Sequence, residues 1–155
     1  MDISSVLIPV DFSESAVTAI EYAKQIAPLW KSEFMLIHVI DERLAINIAG
    51  YCKESVEKVR ERLTNQAHQS FRKFINECNV SDLVKETIVS YGPPFQEIAI
   101  KARELQVDLV LMGGYGSRGK GHIDEIFFGS TVEKVVRLLP CPVLCVPLGW
   151  TTEMD

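Results

Sequence analysis

At 155 residues with a net charge of −5, the chain has the length of one domain, expected to span residues 1–155 and to bury roughly 70% of the surface its unfolded form exposes. An acidic balance lacks the broad positive field on which nonspecific binding to nucleic acid or to an anionic membrane depends, so neither partner is expected. Four cysteines, Cys52, Cys78, Cys141 and Cys145, form no CxxC pair and lack zinc-knuckle spacing; Cys141 and Cys145 lie about 13 Å apart if both sit in one strand, too far to bridge. They read as core packing in a reduced compartment. Without a signal-peptide pattern, or an apolar run approaching the roughly 18 residues of a membrane span, a soluble cytoplasmic protein is expected.

Residues 6–10 form a short apolar run, and from 13 to 29 Ala16, Ala19, Ile20, Ala23, Ile26 and Ala27 recur at helical spacing. A second strand is predicted over 34–40. The segment 41–51 reads as a longer connection, and 53–77 as a helix with Val56, Val59, Leu63, Ala67, Phe71, Phe74 and Ile75 on one face. A third strand over 83–90 ends in the turn signal Gly92, Pro93, Pro94, and Phe95, Ile98, Ala99, Ala102 and Leu105 mark the next helix. Residues 108–112 form a fourth strand, 131–139 a helix stopped by Pro140, and 142–146 a fifth strand. Strict βα alternation with right-handed crossovers predicts an open five-stranded parallel sheet with helices on both faces. Ligands of such sheets gather at the strands' carboxyl ends, where Asp11 follows strand one and Gly113 follows strand four.

Six of the chain's nine glycines, Gly113, Gly114, Gly116, Gly119, Gly121 and Gly129, crowd the stretch 112–131. Backbone N–H groups there can approach an anion without Cβ obstruction. Arg118, Lys120 and His122 lie in the same stretch and either raise the local potential or remain solvated charges. Gly114, Gly116 and Gly119 satisfy GxGxxG, but no helix follows directly and the closing strand runs into Pro147 instead of an acid, so a dinucleotide oxidoreductase is not expected. A Walker A reading fails because Gly121 stands where a Ser or Thr hydroxyl should reach Mg²⁺.

A third pattern fits: Gly116, two residues, Gly119, nine residues, then Gly129 and Ser130. With the runs VLIPVD ending at Asp11, LIHVID ending at Asp41, DLVLMG ending at Gly113 and CPVLCVP ending at Pro147, the chain resembles the universal stress protein family over nearly its whole length. One departure is that the first motif glycine usually follows the fourth-strand Met directly, which selects Gly113, whereas the spacing to Gly129 selects Gly116. The loop is three residues long for the pattern, and Gly113, Gly116 and Gly119 can exchange roles.

The resemblance implies a Rossmann-like, adenine-nucleotide alpha hydrolase-like fold and an ATP site, with ADP or AMP as alternatives and Mg or Mn beside the phosphates. It carries adenosine contact onto Asp11, backbone pairing with adenine onto Val39, and flanking positions onto Pro9 and Val10. Met112 with Gly113, Gly116, Gly119, Gly129, Ser130 and Thr131 are the corresponding phosphate-side residues. Chemistry supports each assignment: a carboxylate accepts from ribose hydroxyls, and a helix N-terminus favours phosphate. Each also has a plainer reading. Residues 11–14 fit a capping-box-like start at Asp11, and Ser130 with Glu133 is a capping box whether or not ligand binds. Val39 is core by its side chain, His38 a satisfied core residue, and His68 a solvent-facing one.

These expectations describe an ATP-binding regulatory module in stress response, with no catalytic base, nucleophile or metal dyad evident and any hydrolysis slow or partner-dependent. Two rivals are a dimeric stress-response interaction protein that binds no nucleotide and an ATPase or phosphotransferase. The resemblance further implies a homodimer joined through 142–147, an apolar edge flanked by Pro142 and Pro147.

Overall fold

The computed structural model describes residues 2–114 and 130–149, Ser130 by its backbone only. Ten elements follow one another: β1 (Ser5–Pro9), α1 (Glu14–Trp30), β2 (Glu33–Ile40), α2 (Glu42–Cys52), α3 (Val56–Glu77), β3 (Val84–Tyr91), α4 (Pro94–Glu104), β4 (Leu109–Gly113), α5 (Ser130–Leu138) and β5 (Val143–Val146). All strand pairings are parallel, in the order β3-β2-β1-β4-β5. The chain first builds outward from β1 through β2 to β3, then crosses back to lay β4 on the other flank of β1. In doubly wound sheets the carboxyl ends of the strands at such a reversal are where ligands gather.

Because a parallel sheet is covered on both faces, its inner strands are apolar on both sides. Val6, Ile8, Phe34, Leu36, Leu109 and Leu111 pack on one face against Ala19, Ile20 and Ala23 of α1 and Phe71 and Phe74 of α3. Leu7, Met35, Ile37, Val110 and Met112 pack on the other against Ile98 and Ala102 of α4 and Val132 and Val135 of α5. Each large side chain so removed from water contributes about 1.5–3 kcal/mol.

Local chemistry sets the helix ends. Ser13 caps α1 by accepting from the Ala16 N–H at 3.4 Å, and α1 closes at Lys31 in the left-handed conformation. Pro94 opens α4, where a missing N–H costs nothing. At the amino end of the sheet, one Asp108 oxygen accepts from the N–H and hydroxyl groups of both Ser4 and Ser5 at 2.9–3.0 Å. The Ser5 hydroxyl leads these bonds in holding the carboxyl below the usual carboxylate range. This clamp fixes β4 against β1 in the register Val6 with Leu109 and Leu7 with Val110.

The β2–β3 crossover differs from the sequence expectation. Residues 42–52 are helical, not an extended connection. The Asp41 side chain starts α2 by accepting from the Arg43 N–H at 2.9 Å, and Ala45 and Ala49 bury against Val59 of α3 in a small separate cluster. α3 is held to the end of β3 by Tyr91, whose hydroxyl donates to the Arg60 carbonyl at 2.7 Å while the Arg60 guanidinium lies 4.6 Å from its ring centre. Among the described residues, no helix is long and apolar enough to cross a membrane.

Candidate functional site

At the carboxyl end of β1 the chain turns sharply. Val10 keeps its side chain in the core at 3% exposure and donates its N–H to the Ile37 carbonyl at 2.8 Å. Asp11 then emerges with an exposed carboxylate. Phe12 follows in the left-handed conformation, φ 61°, which costs an aromatic residue about 1–3 kcal/mol and persists only where the surroundings dictate it. Its ring supplies that constraint. It lies 4.8 Å from the His38 ring and meets Phe71 and Phe74 edge-on at 5.3 and 5.9 Å.

The turn corrects the capping expectation for Asp11. The N-cap of α1 is Ser13, and Asp11 sits before it, its Oδ1 accepting the Ser13 N–H at 3.1 Å and the Ser13 hydroxyl. Left-handed Phe12 inserts a bend between the two, so the helix begins two residues later than a cap at Asp11 would require.

β2 carries His38 and Val39 to the same edge. Both are half-buried; the Val39 side chain packs against the core on the α4 and α5 face, while His38 lies on the α1 and α3 face among Phe12 and Phe71. Because β1 and β4 are paired neighbours, Pro9, Val10 and Asp11 lie at the same end of the sheet as Met112 and Gly113. Met112 is buried at 5% exposure. Gly113 has a packing role that the sequence reading missed: a Cβ there would fall 2.4 Å from the Ser15 carbonyl oxygen and 2.5 Å from its hydroxyl, distances no side chain tolerates. The end of β4 lies directly on the first turn of α1, and only glycine permits it.

Of the residues expected to touch ligand, Pro9, Val10, Asp11, Val39, Met112 and Gly113 are brought to one sheet edge, and Thr131 stands half-buried in the first turn of α5. Gly116, Gly119, Gly129, the side chain of Ser130, and the charged Arg118, Lys120 and His122 lie outside the described residues. No group of three or more His, Cys, Asp or Glu residues with metal-binding proximity occurs among the described residues. Burial pushes the thiols of Cys141 and Cys145 up, and both pack against the α4 and α5 core. They are neutral packing groups. His68 is exposed on α3.

The fold and this edge define a class: a doubly wound α/β domain whose strand reversal carries a carboxylate, a strand-end peptide and a glycine-bearing strand terminus at the same end of the sheet. The chain belongs to the Universal stress protein family, whose sequence model matches residues 3–147. Universal stress protein MJ0577 of Methanocaldococcus jannaschii is 33% identical, the alignment covering 91% of this chain and 93% of that protein. The solved structure of MJ0577 superposes with a TM-score of 0.77 at 31% identity, covering 97% of this chain and 100% of its own. The same fold, adenine-nucleotide alpha hydrolase-like, is shared with a universal stress protein solved in complex with cAMP, at TM-score 0.65, 18% identity and coverages of 96% and 100%. It is shared too with one from Archaeoglobus fulgidus solved in complex with dAMP, at TM-score 0.59, 19% identity and coverages of 94% and 98%.

Proposed function

We propose that this chain is an adenine-nucleotide-binding regulatory module of the stress response, acting in the cytoplasm through binding in preference to turnover. The observation that carries the reading is the strand reversal, which sets the exposed Asp11 carboxylate beside the end of β4 and one strand away from Val39. In this reading Asp11 accepts from ribose hydroxyls, the Val39 peptide pairs with the base, and Pro9 and Val10 flank the adenosine. Met112 and Gly113 border the phosphate side, where Gly116, Gly119, Gly129, Ser130 and Thr131 supply donors at and before the start of α5. ATP, ADP and AMP share the adenosine determinants, and Mg or Mn would bind with the phosphates, since the described residues hold no ready-made metal cluster. The relatives solved with cAMP and dAMP support an adenine nucleotide as the ligand class.

Titration calorimetry with ATP and magnesium is expected to give saturable heat, and ATP at a hundred times Kd to stabilise the folded chain by about 2.7 kcal/mol. Asp11→Ala is expected to weaken that affinity. Absence of both heat and thermal protection for ATP, ADP and AMP would remove the proposal and leave the nucleotide-free interaction protein as the better account.

A homodimer joined through 142–147 belongs to the same proposal. β5 is an edge strand, its Val143, Leu144 and Cys145 are only half-buried, and Leu138 and Leu148 nearby are exposed at 46% and 45%. Unpaired edges of this kind invite strand addition by a second copy. Sedimentation is expected to show a dimer at micromolar concentration, weakened by Leu144→Lys; a monomer throughout would contradict it.

A further inference from the structure

The imidazole of His38 is unused by the nucleotide reading, yet it sits where the β1–β2 ladder stops. After the Val10 N–H bonds to the Ile37 carbonyl, the next rung of a parallel ladder would run from the Val39 N–H to the Val10 carbonyl. That rung is missing. Pairing ends at Pro9 with Ile37, and the Val10 carbonyl is engaged by His38 Nδ1 at 2.7 Å. Since a carbonyl can only accept, Nδ1 carries the hydrogen. The ring is held in that pose by Phe12, 4.8 Å away at a tilt of 40°, and by Phe71 at 90°.

Peptide groups two residues apart in a strand face the same side. The Ile37 carbonyl points to β1, so the N–H and C=O of Val39 point that way too, past the place where β1 has ended. One donor and one acceptor on a single residue complement the exocyclic amine and ring nitrogen of adenine; guanine offers the reverse pattern.

We infer that His38 is a positioning residue for base recognition: by occupying the Val10 carbonyl it ends the β1–β2 ladder one rung early and leaves the Val39 peptide to read an adenine edge. The inference rests on the nucleotide reading and adds the group that makes the base contact available. In His38→Phe the ring packing is retained and the donor lost, so the Val10 carbonyl becomes available to the Val39 N–H. In His38→Asn the side-chain amide can donate in place of Nδ1.

The test measures amide exchange at Val39 without ligand, together with ATP and GTP affinities by calorimetry, in wild type and both variants. His38→Phe is expected to slow Val39 exchange, weaken ATP about tenfold, and narrow the preference for ATP over GTP. His38→Asn is expected to restore all three toward wild type. A folded His38→Phe protein whose Val39 exchange is unchanged, or whose ATP affinity stays within about twofold of wild type, overturns the inference while the nucleotide reading stands. Failure of the wild type to bind any adenine nucleotide overturns both. If His38→Phe does not fold, His38→Asn decides, because an amide donor that preserves stability but loses ATP affinity contradicts the assigned role.

Discussion

Gly113→Ala is expected to destabilise the fold by about 3 kcal/mol, the upper range for forcing atoms into a packed site. The added methyl would stand 2.4 Å from the Ser15 carbonyl oxygen and 2.7 Å from its carbonyl carbon, and neither belongs to a side chain that can rotate away. Relief requires β4 and the first turn of α1 to separate, which disturbs the strand reversal on which the candidate site depends. Gly114→Ala is the control. Its methyl would meet the Val146 carbonyl at 3.3 Å, a contact that needs only a few tenths of an ångström of give, and about 1 kcal/mol or less is expected. Urea denaturation of the two variants measures the difference. Equal stability of Gly113→Ala and wild type would mean that the contact with Ser15 does not constrain the fold.

The same glycine shows why sequence reading reached the architecture before the site. Strands such as 34–40 and 108–112 are continuous apolar runs, and α1 repeats alanine and isoleucine at helical spacing, because burial on two sheet faces or along one helix stripe leaves a periodic trace. Contacts between distant segments leave none. Gly113 sits among five other glycines of its stretch, and nothing local separates a glycine needed for ligand approach from one needed by Ser15 of α1. α2 was illegible for a different reason: its buried stripe is made of the small residues Ala45 and Ala49, whereas the large apolar Leu44 and Ile46 are 47% and 51% exposed, so the hydrophobic pattern points to the wrong face. The Asp41 cap was its available signal. At the end of β1 the acid was legible, but the bend was not, because phenylalanine carries no propensity for a positive φ. Only the cluster formed with α3 makes Phe12 adopt it.

That dependence of the site on the core sets the second large effect. Phe71→Ala is expected to cost about 3–5 kcal/mol, the range for emptying a buried aromatic position. Phe71 is 1% exposed and meets the Phe12 ring at 5.3 Å and the His38 ring at 6.4 Å, so the cavity opens directly behind the two residues that shape the Asp11 turn. Left-handed Phe12 would then lose the packing that offsets its backbone strain, and the turn would relax toward ordinary conformations. Two losses are therefore expected together: a lower denaturation midpoint, and, under the proposed function, weaker ATP binding measured well below that midpoint, where the fold is intact. Phe71→Leu, which fills most of the space, is expected to recover the greater part of both. A stability loss under about 1 kcal/mol in Phe71→Ala would show that the core closes around the missing ring. A full stability loss with unchanged ATP affinity would separate the aromatic cluster from the site, because the Asp11 turn would then hold its shape without a wall behind Phe12.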